Sequence, residues 1–129
     1  EGVKYISEVS TDIFFITLNK SEKHFSETTL YEDYAIDQWL FHWQTQSRLT
    51  TTSPTGQRYI NQRTNGSRVV LFVREERSDE HGKTAAYTCL GLADYVSHQG
   101  SMPISIVYRL RHKMPVRVLR VSNKFVDLG

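Results

Sequence analysis

The stretch PISIVYRLR, residues 103–111, alternates apolar and polar side chains from Ile104 onward. Ile104, Ile106, Tyr108 and Leu110 share one face, and Ser105, Val107, Arg109 and Arg111 share the other. A period of two over this length fits a strand with one face on a core and fits no helix. Such a strand needs hydrogen-bonded neighbours, and the chain supplies candidates. DIFFITLN (12–19), WLFHWQTQ (39–46) and VVLFVRE (69–75) read as strands. AAYTCLG (85–91) and LADYVS (92–97) read as two short strands broken near Gly91, and VRVLRV (116–121) reads as a last strand after Pro115.

The segments between them read as connections. SEKHFSETTLYEDYAI (21–36) is mixed, and its cap-type residues Ser21 and Ser26 allow a short helix. TTTSPTGQRYINQRTNGS (50–67) is the longest polar stretch, with Pro54, Gly56 and an Asn65-Gly66 turn signal, and predicts a long functional or mobile loop. ERSDEHGK (76–83) predicts a charged, exposed link. Six or seven short strands with few helices place the chain in the α+β class, mostly β, as a strongly curved mixed sheet or small open barrel. No repeat or boundary divides residues 1–129, so they read as one domain, long enough to bury about 65–70% of its unfolded surface.

Composition narrows the function. Hydrophobic residues are 39% and charged residues 23%, which excludes a disordered chain, and no apolar run approaches the ~20 residues of a membrane span. The start at Glu1 without a methionine is expected of a piece of a longer protein. One cysteine, Cys89, excludes an internal disulfide and fits a cytoplasmic location. Its apolar setting, YTCLG, predicts a buried, inert thiol. The net charge of +2 hides a gradient. Residues 1–40 carry three Lys against eight acids, whereas residues 101–129 carry six Lys or Arg against Asp127 alone. A surface built from the later part of the chain therefore suits a polyanion.

Several chemistries are disfavoured. His24, His42, His81, His98 and His112 have no metal-ligand spacing, so no metal site is expected. There is no nucleophile elbow, phosphate-binding glycine loop or HExxH. Glu75, Glu76, Asp79 and Glu80 sit in a run of charged and polar residues and read as a solvated turn. No cofactor and no catalytic residue is expected. The remaining signal is aromatic residues set beside polar ones, above all LFHWQTQS (40–47). A planar base needs stacking faces with donors and acceptors at its edge. By residue type alone the segment fits a core strand with a wet face as well as it fits a pocket wall.

LYEDYAIDQWLFHWQTQSRLT, SPTGQRYINQ, VVLFVRE and YTCLGLADYVSHQGSMPISIVYRLRHKMP, taken in this order, resemble the C-terminal specificity domain of SauUSI-like type IV restriction enzymes. The resemblance covers roughly residues 28–115. Cys89, Leu92, Ile104, Tyr108 and Lys113 depart from the family's usual residues there. It implies an SRA-like (PUA-like) fold that follows phospholipase-D-type nuclease and helicase domains in the same parent chain. It also implies a partner, double-stranded DNA containing 5-methylcytosine or 5-hydroxymethylcytosine, whose modified base is flipped into a pocket. The isolated domain is then a reader and not an enzyme.

Under that resemblance two of Tyr31, Tyr34, Phe41 and Trp43 sandwich the base. Asp33 accepts from the cytosine amino group, and His42, Gln44 or backbone amides donate to its other edge. Gln57 and Arg58, with Tyr59 beside them, enter the gap left in the duplex. Gln46, Ser47, Ser97, His98, Arg109 and Arg111 complete the DNA contacts. The competing readings are a non-specific or RNA-binding module and a domain that docks on the helicase motor and regulates it.

Overall fold

The computed structural model describes residues 2–18 and 33–123. Among them one sheet holds seven strands: β1 (Gly2–Ile6), β2 (Thr11–Thr17), β3 (Tyr34–Ala35), β4 (Leu40–Gln44), β5 (Arg68–Arg74), β6 (Thr88–Gln99) and β7 (Ser105–Leu110). Three α-helices accompany it: α1 (Pro54–Ile60), α2 (Gln62–Asn65) and α3 (Val116–Ser122). The strand order is β1-β2-β5-β6-β7-β4-β3. Only β2 and β5 run parallel; the other pairings are antiparallel. The expected α+β, mostly β class with a mixed sheet is what forms.

Alternation decides which face is buried. Phe14 and Ile16 of β2, Val69, Leu71 and Val73 of β5, and Ile106, Tyr108 and Leu110 of β7 all point into one core, joined by Phe41 and Trp43 of β4. Phe14 and Trp43 then reveal the curvature. Three strands lie between β2 and β4 in the sheet. Laid flat, such strands would sit about 19 Å apart. Their ring centroids are 4.1 Å apart. The sheet curls so far that strands near its two ends press their aromatic side chains together, though it does not close: β1 and β3 remain its outer strands. Tyr108 adds an edge-on contact to Phe14 at 5.6 Å.

Residues 50–67, expected as a loop, form α1 and α2 instead. The signals are local. Ser53 is the N-cap, its hydroxyl accepting from the Gly56 amide at 3.0 Å, and Pro54 follows at the first helical turn. Gly66, in the left-handed region at φ 69°, ends α2. Position 56 admits only glycine, because a Cβ there would lie 2.2 Å from the Thr50 carbonyl oxygen. What holds the helices on the concave face is Tyr59 and a buried glutamine. Gln62 donates to the Ala93 carbonyl at 3.2 Å and accepts from the Tyr95 amide at 2.7 Å. It acts as the strand partner that β6 lacks beyond the end of β5.

Three further expectations are corrected. The two short strands around Gly91 are a single long strand, β6. Gly91 at φ 82° sits at a register shift where β6 gains one residue over β5, a bulge that bends the strand without ending it. The same bulge buries Leu90 and leaves Cys89 exposed, so the thiol is not buried. Residues 116–121 form helix α3, not a strand. Pro115 caps its start, and Val118 and Ser122, four residues apart, are its buried positions. Its valines imitate strand residues, but burial follows the helical period. The Asn123 amide then donates to the Ile36 carbonyl at 2.9 Å, tying α3 to the β3 end of the sheet.

Truncating Phe14 removes the ring on which Trp43, Tyr59 and Tyr108 converge. Phe14→Ala is expected to lower the unfolding free energy by about 3–5 kcal/mol, read as a fall in the urea midpoint with little change in slope.

Candidate functional site

Because the sheet curls without closing, a cavity remains where β1 and β2 approach the end of β4, beneath α1. It has a volume of about 580 Å³ and is partly open to solvent. Tyr5 of β1, Trp43 and Gln44 of β4, Asp33 just before β3, and Arg58 and Tyr59 of α1 form much of its wall. Trp43 meets Tyr59 edge-on at 5.4 Å and stacks on Phe14 behind it, so its ring is fixed and only 8% of the residue is exposed. Asp33, also 8% exposed, accepts from the Gln44 amide at 3.0 Å. The Gln44 side chain donates to Ser105 of β7 at 3.1 Å. The β4 wall is therefore braced from both sides.

The opposite wall rests on a buried ion pair. Asp12 shares the inward face of β2 with Phe14 and Ile16 and has no exposed surface. A carboxylate there requires a fixed partner. Arg58 supplies one, its Nε donating to Oδ2 at 2.8 Å and its Nη2 to Oδ1 at 2.9 Å. The guanidinium also lies over the Tyr5 ring, 3.9 Å from its centroid. The hydrogen bonds to Asp12 raise the Arg58 pKa, against the opposing effect of burial. Burial pushes the Tyr59 hydroxyl up to about 12. Burial likewise holds Tyr108 well above the usual tyrosine range, its hydroxyl donating to the Tyr59 carbonyl at 3.1 Å.

The residues expected to form a site divide into groups. Asp33, Trp43, Gln44, Gln46, Ser47, Arg58 and Tyr59 converge on the cavity. Phe41 does not; it is wholly buried opposite Tyr108 and belongs to the core. Tyr34 and His42 stack on each other, 4.5 Å between centroids, and His42 faces a separate shallow depression with Ser97 and His98. His98 Nδ1 lies 2.7 Å from the Tyr95 hydroxyl. Arg109 is exposed on β7, whereas Arg111 is paired with Asp94 at 2.9 Å, an ion pair that lowers the Asp94 pKa. Gln57 donates to the Thr51 carbonyl, and Arg58 is held by Asp12, so neither projects from a free loop. Tyr31 lies outside the described residues.

The sequence singled out neither Tyr5, which lines the cavity, nor Asp12, which lies buried behind Arg58. Asp12 did carry a signal: an acid at an inward position of an apolar strand, in DIFFIT, needs a partner somewhere in the fold. Tyr5 carried none. Among the described residues no group of three or more His, Cys, Asp or Glu is placed to hold a metal ion, and no helix is long and apolar enough to cross a membrane.

Residues 1–120 match the family described as Domain of unknown function (DUF3427). The chain belongs to the DUF3427 family. No curated protein matches it. The DUF3427 match takes in every strand described above and the whole cavity wall.

Two outcomes are expected of this DUF3427 domain. Arg58→Ala strands a fully buried carboxylate and should cost about 3–5 kcal/mol. The double variant Asp12→Leu with Arg58→Ala should cost less than the sum of its singles, as measured in a double-mutant cycle of urea unfolding. Stability should also be nearly flat from pH 7 to 9 and fall above pH 10. There the unfolded tyrosines lose protons while Tyr59, raised to about 12, and Tyr108 keep theirs, so the unfolded state binds fewer protons and stability drops as pH rises. The expected loss by pH 11 is about 1–3 kcal/mol.

Proposed function

We propose that this domain reads 5-methylcytosine or 5-hydroxymethylcytosine in duplex DNA by flipping the base into the cavity beneath α1. In this reading it has an SRA-like architecture and targets nuclease and helicase domains of a longer cytoplasmic protein, contributing specificity and no catalysis. One observation carries the reading. The cavity of about 580 Å³ joins an aromatic wall, Trp43 and Tyr59, to a carboxylate, Asp33, and an amide, Gln44. That volume is in the range of small-ligand pockets, and the mixture of ring and hydrogen-bonding groups is what a planar, edge-functional base requires.

The energetics follow from the geometry. Unstacking a base costs a few kcal/mol, which ring contacts and edge hydrogen bonds must offset. Asp33 accepts from the exocyclic amine that thymine lacks and so selects cytosine. Burial of the 5-methyl group adds only ~0.8 kcal/mol, so preference over plain cytosine is modest and rests on the shape of the wall. Exposed cations such as Arg109 hold the backbone. With four to six phosphates neutralised, log affinity falls against log salt with a slope of about −4 to −5.

The test is a titration of the protein with one duplex carrying cytosine, 5-methylcytosine or 5-hydroxymethylcytosine at a single position. Wild type is expected to prefer the modified duplexes. Asp33→Asn should abolish that modest preference while binding to plain duplex persists. Equal affinity of wild type for all three duplexes rejects the reading.

A further inference from the structure

Arg58 has a role in the cavity beyond neutralising Asp12. A guanidinium carries five N–H donors in a rigid plane. Two of them are committed to Asp12, through Nε and Nη2. The flat face rests on Tyr5. These contacts fix both the direction and the tilt of the group. Its remaining edge carries the two N–H of Nη1 and the second N–H of Nη2. Nη1 makes no hydrogen bond among the described residues, and Arg58 is 23% exposed in the cavity wall.

Charge decides what such an edge suits. The Asp12 carboxylate offsets the arginine's positive charge at contact distance, so the site is a weak trap for a free phosphate. It remains a directional donor, already ordered, for a neutral acceptor. Asp33, an acceptor, lines the same cavity from the β3–β4 side, across from Arg58. A ligand satisfying both presents an N–H donor at one end of a flat edge and carbonyl-type acceptors at the other. Cytosine does so, with its amine at one end and N3 and O2 beyond it. Thymine puts an oxygen where Asp33 requires a donor.

We propose that the free edge of Arg58 reads the N3 and O2 side of the flipped cytosine, making Arg58 a specificity-determining residue of the pocket and not a contact to the duplex gap. The inference rests on the base-flipping reading given above.

Arg58→Lys keeps a cation beside Asp12 but lacks the planar edge. Its affinity for the 5-methylcytosine duplex is expected to fall to about that for plain duplex, erasing the modest preference, with the salt slope unchanged. Two results with this variant overturn the inference while leaving the reading intact: a folded protein that keeps the full preference, or equal weakening on all duplexes with a slope smaller by about 1. Wild type that does not discriminate overturns both. A second arm needs no variant. A duplex carrying 2-thio-5-methylcytosine, whose sulfur is a poorer acceptor than O2, should bind wild type more weakly than the 5-methylcytosine duplex, at about the plain-duplex level. Undiminished binding overturns the inference.

Discussion

Phe14 against Trp43 is the contact on which the architecture depends. Each ring sits on a strand that alternation alone would bury. Only a sheet bent through most of a turn can bring strands so far apart in its order to 4.1 Å between ring centroids. Tyr59 from α1 and Tyr108 from β7 close on the same pair edge-on, an arrangement favoured by the ring quadrupoles. The curl produces the core and, where it stops short of closure, the cavity. Burial and concavity have a single origin.

The Asp12–Arg58 pair is the polar counterpart of that aromatic lock. A carboxylate on the inward face of β2 is costly until α1 docks with its arginine, so the pair ties helix placement to strand placement. Hydrophobic residues of similar volume could fill the space as well or better. The retained ion pair instead leaves an oriented guanidinium edge at the cavity, beside Tyr5. That cost accords with the reading role proposed for Arg58.

Much of the sheet was readable from the chain because each strand buries one face. The alternation in PISIVYRLR and the apolar run VVLFVR gave β7 and β5 almost to the residue. The helices were harder. α1 and α2 bury little besides Tyr59, Ile60 and the polar Gln62, so no apolar stripe announces them, and only the Ser53-Pro54 cap gives them away. α3 is valine-rich and imitates a strand. Half of the cavity wall lay in the contiguous LFHWQTQS and its neighbours. The rest, with Tyr5 of β1 and Arg58 of α1 held by the buried Asp12, is assembled by the curl, which no local pattern encodes. Phe41 shows the converse: it alternates in step with Trp43, yet lies one residue pair deeper into the sheet, where no surface is left.

The lone parallel pairing has its own consequence. Thr17 lies beside Arg74, 57 positions later, and the Arg74 side chain donates to its hydroxyl at 3.0 Å. β1 and β2 are adjacent in sequence, but they join the rest of the sheet only after a large intervening segment has been gathered in, an entropically slow step. Truncating the chain at any point beyond residue 18 would thus do more than shorten it. It would strip β5 of its partner along a whole flank and bare a row of unpaired amides and carbonyls, an open template for self-association.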